Sequence, residues 1–85
     1  MSEPLRWLMD YFEEYGKLGD RTVQDVLDEN YVTLELLDSL GIVQLLVGIE
    51  EQFGVWLDPA EMQDPRFCSI AGLAALVEES RAAAA

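Results

Sequence analysis

The chain has 85 residues, with five Lys or Arg against seventeen Asp or Glu, a formal net charge of −12 and no histidine. Without His, the common zinc sites and the Ser/His or Cys/His nucleophile pairs cannot be built from this chain alone, and the excess of acids repels the polyphosphate backbone of a nucleic acid. The length fits one small domain spanning 1–85, and an apolar content of 51% argues against a disordered acidic tail.

The longest uncharged runs, 39–49 and 67–77, have eleven residues each, whereas a membrane-spanning helix needs about 20 mostly apolar residues. No membrane association is expected. The start, Met1-Ser2-Glu3-Pro4, lacks the basic and apolar regions of a secretory signal. Cys68 is the sole cysteine, so an internal disulfide is impossible and a cytoplasmic location is expected. With no base or cationic cluster near it in sequence, Cys68 reads as a small buried apolar residue and not as a nucleophile.

In chain order, Ser2 can cap a first helix with Pro4 in its opening turn. Leu5, Leu8, Met9, Phe12 and Tyr15 recur there at helical spacing, and Gly16 and Gly19 end it. The stretch 17–38 is the least regular. Thr22 can cap a short turn carrying Val23, Val26 and Leu27, and Tyr31, Leu34, Leu36 and Leu37 read as anchors pinning a long loop to a core. The clearest helix spans 39–53, with Ile42, Leu45, Leu46, Ile49 and Phe53 as its inner stripe and Gly54 at its stop. Its opposite side presents Leu40, Gly41, Gln44, Val47, Gly48 and Glu51, so apolar residues stand where a wet face is expected. Asp58, Pro59 and Glu61 mark a helix start, and Asp64-Pro65 keeps that helix short. Ser69 can cap a last helix, whose inner side is Ile70, Leu73, Leu76 and Val77 and which ends near Arg81, leaving 82–85 as a frayed tail. The pattern predicts three full helices and one short one, with no strand.

Leu37-Asp38-Ser39-Leu40 is the segment with chemical content. Taken alone it is a helix cap, because Asp and Ser oxygens satisfy free backbone N–H groups. Its position adds weight, since a long loop delivers Ser39 to a helix start, where free N–H groups and the positive end of the dipole favour a phosphate. The apolar residues beside it suggest a docking face.

Over residues 36–79 the sequence resembles the acyl and peptidyl carrier proteins. The resemblance rests on Leu37-Asp38-Ser39-Leu40, Val43, Leu45, Ile49-Glu50-Glu51-Gln52-Phe53-Gly54 and the helix 70–77, with the first helix and long loop fitting the same layout. It implies an all-α four-helix bundle with a short third helix and a long loop between helices one and two. It also implies that Ser39 is the attachment point of a covalent 4′-phosphopantetheine arm. A partner phosphopantetheinyl transferase would use the Ser39 hydroxyl to attack the pyrophosphate of coenzyme A, leaving a phosphodiester and a terminal thiol. That thiol, not Cys68, would carry the cargo as a thioester. Asp38 matches the family's acidic position beside the serine, implicated in the transferase encounter. Such a chain is a non-catalytic carrier, served by an adenylating or acyl-loading enzyme and by acyltransferases or other downstream biosynthetic enzymes, and a monomer is expected. The absence of histidine agrees with this, because the partners supply the general bases.

Two positions depart from the fatty-acid pattern. Gly41 and Gln44 stand where acidic residues are common, which changes the charge offered to basic docking patches. The stretch Asp38 to Leu45, together with Phe67 just ahead of Ser69, is more similar to the D-alanyl carrier proteins. This implies an aminoacyl or unusual-acyl starter carrier, free-standing, in a secondary-metabolite or amino-acid-starter pathway. The predicted docking residues are Leu40, Gly41, Val43, Gln44, Val47, Gly48 and Glu51. No metal site is expected. Trp7 and Tyr11 read as edge packing, and Trp56 as packing over the core in preference to lining a cargo mouth.

The alternative from another class is an acidic helical adaptor that binds a basic partner and carries no cofactor; it would not need Ser39. A calcium loop counted from Asp28 fails, because it needs Gly at Thr33 and Glu at Ser39. The charge has an address. Residues 10–64 hold fourteen acids and two bases, the whole −12, yet the segment 39–49 has no charge.

Overall fold

The computed structural model describes residues 2–84, excepting the side chain of Ala84. Four α-helices follow in order: α1, Glu3–Tyr15; α2, Ser39–Phe53; α3, Pro59–Met62; and α4, Ile70–Ala84. Short 3₁₀ turns lie at Gln24–Val26 and Pro65–Cys68, and no strand occurs among the described residues. The result is the expected all-helical bundle with a short third helix and a long loop between the first two.

Local chemistry sets the helix ends. The Ser2 hydroxyl accepts from the Leu5 N–H at 3.2 Å and Pro4 sits in the first turn, where its missing donor costs nothing. Asp58 and Glu61 form a reciprocal capping box at α3. Ser69 caps α4 by accepting from the Gly72 N–H at 3.0 Å. Gly54 stops α2 in the left-handed region at φ 68°, where a side chain would be strained.

Helix α1 packs along α4, and α2 lies against both. Their shared core is built from Leu8, Phe12, Leu45, Ile49, Leu73 and Val77, each almost fully buried. The long loop is tied down along its length. The Lys17 N–H donates to the Leu36 carbonyl at 2.8 Å, the Tyr31 N–H to the Cys68 carbonyl at 3.0 Å and the Ala71 N–H to the Leu27 carbonyl at 3.0 Å. The predicted anchors Tyr31, Leu36 and Leu37 are buried, and Leu34 is half-buried. Thr22 and Asp25 cap one another's backbone at the first 3₁₀ turn, as the sequence suggests for Thr22. Cys68 is half-buried against the core.

Three expectations are corrected. Tyr15, expected on the inner side of α1, is 62% exposed, because it closes the outer flank of the helix by packing on Tyr11 with ring centroids 4.8 Å apart. Trp56, expected to cover the core, is 58% exposed. The non-helical segment around it alternates, so Val55 and Leu57 turn inward and Trp56 turns out. The last helix does not end near Arg81. It continues to Ala84, since alanine is the strongest helix former, and the remaining residue of the expected frayed tail, Ala85, lies outside the described residues.

Candidate functional site

The long loop ends in a strained step. Glu35 takes φ 56°, a conformation that costs a residue with a Cβ about 1–2 kcal/mol. It is followed by two consecutive buried leucines, Leu36 and Leu37. Those two anchors fix the chain just before it enters α2. Asp38 is the N-cap, its Oδ1 accepting from the Gly41 N–H at 2.7 Å, and Ser39 is the first helical residue. Both side chains are exposed. The backbone N–H groups of Ser39 and Leu40 have no acceptor among the described residues. An exposed hydroxyl thus stands beside two open donors at the positive end of a 15-residue helix.

The predicted docking residues divide into two sets. Leu40, Val43 and Val47, 64%, 55% and 42% exposed, lie along one outward side of α2, and Gln44 and Glu51 are exposed with them. Gly41 and Gly48 do not share that surface. Both are half-buried and turned toward α1. The Tyr11 hydroxyl donates to the Gly41 carbonyl at 2.9 Å, and a Cβ at Gly48 would lie 2.8 Å from the Trp7 ring. Trp7 stacks on Tyr11 at 5.5 Å and meets Phe53 edge-on at 5.8 Å, so this pair is packing, as its place on the helix flank suggests. Burial, reinforced by the Tyr15 phenol and the Asp38 carboxylate, raises Tyr11 above the usual tyrosine range and keeps it a donor.

Gly41 has a packing reason of its own. A Cβ there would sit 3.2 Å from Asp38 Oδ1 and 3.4 Å from Leu37, so a longer side chain would press on the cap of α2. The seven-residue separation of Gly41 and Gly48, two turns on one face, was the signal in the sequence. Their partners, Tyr11 for Gly41 and Trp7 for Gly48, lie four residues apart on one face of α1.

A model of the family described as the phosphopantetheine attachment site matches residues 6–77, which include Ser39 and every predicted docking residue. The chain belongs to this family. No curated protein matches the chain significantly. Members of the phosphopantetheine attachment family bind 4′-phosphopantetheine covalently and, as carriers, are generally non-catalytic. The residues present fit the group: Ser39 is exposed, and the adjoining N–H groups of Ser39 and Leu40, without an acceptor among the described residues, can donate to a phosphate oxygen. No helix among the described residues is long and apolar enough to cross a membrane.

Proposed function

We propose that the chain carries an activated aminoacyl or unusual-acyl group on a 4′-phosphopantetheine arm attached to Ser39, and presents it to partner enzymes of a biosynthetic pathway. The observation that carries this reading is the exposed Ser39 hydroxyl, held at the first position of α2 by the Asp38 cap inside the matched region 6–77. When bound, the group supplies a terminal thiol that holds acyl cargo as a thioester. The chain's own residues place that group. Leu36 and Leu37 fix the approach to α2, Asp38 shapes its first turn and offers a carboxylate to the transferase, and Leu40, Val43 and Val47 provide apolar contacts to docking enzymes.

The preference for aminoacyl cargo rests on Gly41 and Gln44, which stand where the fatty-acid pattern commonly has acids, a departure that weakens the match to basic fatty-acid enzymes. Only Gln44 speaks to partner charge directly, because Gly41 is also required by the cap and by the contact with α1. To test the reading, the chain is incubated with coenzyme A and a promiscuous phosphopantetheinyl transferase, then offered a panel of adenylating and acyl-transferring enzymes. An intact-mass gain from an aminoacyl donor that hydroxylamine removes is the expected result. Loading only by fatty-acid enzymes, at full rate, would contradict the choice of cargo.

A further inference from the structure

The first turn of α2, residues 39–41, puts no side chain into the core. Ser39 is exposed, Leu40 is 64% exposed and Gly41 has no side chain to bury. The first buried residue of the helix is Leu45, more than one turn after Ser39. A helix end that buries nothing frays, because packing does not offset the backbone entropy of its residues. Ser39 stands at that end, so its position depends on other bonds.

Two hydrogen bonds hold the turn, and both meet at Gly41. The Asp38 carboxylate accepts from its N–H at 2.7 Å, and the Tyr11 hydroxyl donates to its carbonyl at 2.9 Å. The first is local and moves with the turn. The second comes from α1 and is the sole hydrogen bond between α2 and another helix among the described residues. The phenol that makes it is itself held, stacked on Trp7 with ring centroids 5.5 Å apart and next in sequence to the fully buried Phe12. At 3.6 residues per turn, Gly41 lies about 200° around the helix from Ser39. A hold on the Gly41 side therefore steadies the turn and leaves the Ser39 side open to a partner.

We propose that Tyr11 is a positioning residue for the modification of Ser39: its hydroxyl ties the first turn of α2 to α1 and so fixes the serine relative to Val43 and Val47 on the later turns. This rests on Ser39 being the attachment point. In the transfer, the Ser39 oxygen bonds to the phosphorus that carries pantetheine, the bond from that phosphorus to adenosine bisphosphate breaks, and the hydroxyl proton passes to the transferase. A turn already ordered presents the oxygen in line, without the transferase having to order it. Tyr11 acts only through the backbone.

The test compares the parent chain, Tyr11→Phe and Ser69→Ala as substrates of a promiscuous phosphopantetheinyl transferase, with coenzyme A saturating and all three chains folded. Tyr11→Phe keeps the ring and removes the hydroxyl. Ser69→Ala removes the cap of a different helix and controls for lost stability. In Tyr11→Phe, kcat should fall severalfold while the KM for the carrier stays near the parent value, and Ser69→Ala should keep both. Amide exchange at Val43 and Leu45, which donate to the Ser39 and Gly41 carbonyls in the helical pattern, should quicken severalfold in Tyr11→Phe relative to Ile49. An unchanged kcat, a loss confined to KM, an equal loss in Ser69→Ala or exchange that quickens equally at Ile49 overturns the positioning role and leaves the attachment at Ser39 standing. No mass gain in the parent chain overturns the attachment, and this role with it.

Discussion

Burying a tyrosine completely is unfavourable unless its hydroxyl finds an acceptor, and the fully buried Tyr31 donates to the Phe67 carbonyl at 2.6 Å. That bond joins the middle of the long loop to the segment before α4. Tyr31→Phe leaves a buried carbonyl without its donor and should lower stability by about 1–3 kcal/mol in urea unfolding. Burial also pushes the Tyr31 phenol far above its ordinary value of 10.0. The folded chain keeps the proton while the unfolded chain releases it, so stability is full below pH 10.0 and falls as the pH rises past it. Tyr11, raised in the same sense, adds to the fall. Tyr31→Phe should therefore show a shallower loss above pH 10.0 than the parent chain; an identical slope in both proteins would count against the assignment. Tyr31 was legible as an anchor because an apolar ring in a polar loop needs a core to enter. Its acceptor was not, since a carbonyl 36 residues away leaves no pattern in the sequence.

At the level of elements, the helix starts were the most legible features, because each is set by a side chain within three residues of its acceptor or donor. Ser2, Asp58 with Glu61, and Ser69 all act as their spacing suggests. What escaped was which side of α2 is covered. Two glycines on a mostly apolar helix leave its amphipathic direction weak, and only the aromatic flank of α1 decides that Gly41 and Gly48 turn inward. Asp38 combines a structural and a proposed functional role that substitution can separate. Asp38→Ala removes the cap and should cost about 0.5–2 kcal/mol, whereas Asp38→Asn keeps a comparable cap. If the carboxylate also serves the transferase, both variants should be modified more slowly while only Asp38→Ala melts earlier. Modification of Asp38→Asn at the parent rate would reduce Asp38 to a cap.

For the molecule as a whole, the net charge of −12 and the uncharged segment 39–49 act at different ranges. Charges spread over 10–64 attract a basic partner from a distance and are screened by salt, while Leu40, Val43 and Val47 act only on contact. The association rate with a phosphopantetheinyl transferase should therefore fall steeply with ionic strength. In Val43→Ala, stopped-flow measurements should find a faster dissociation rate with the same salt slope. A change in the slope without a change in dissociation would contradict this division of roles.

The central claim is that Ser39 carries the arm, and the most direct measurement is intact and fragment mass spectrometry after incubation with coenzyme A and a transferase. The account predicts one phosphopantetheine, localised by fragmentation to Ser39 and absent from Ser39→Ala. No gain, or an equal gain in Ser39→Ala, would contradict it and leave the cofactor-free acidic adaptor as the better description.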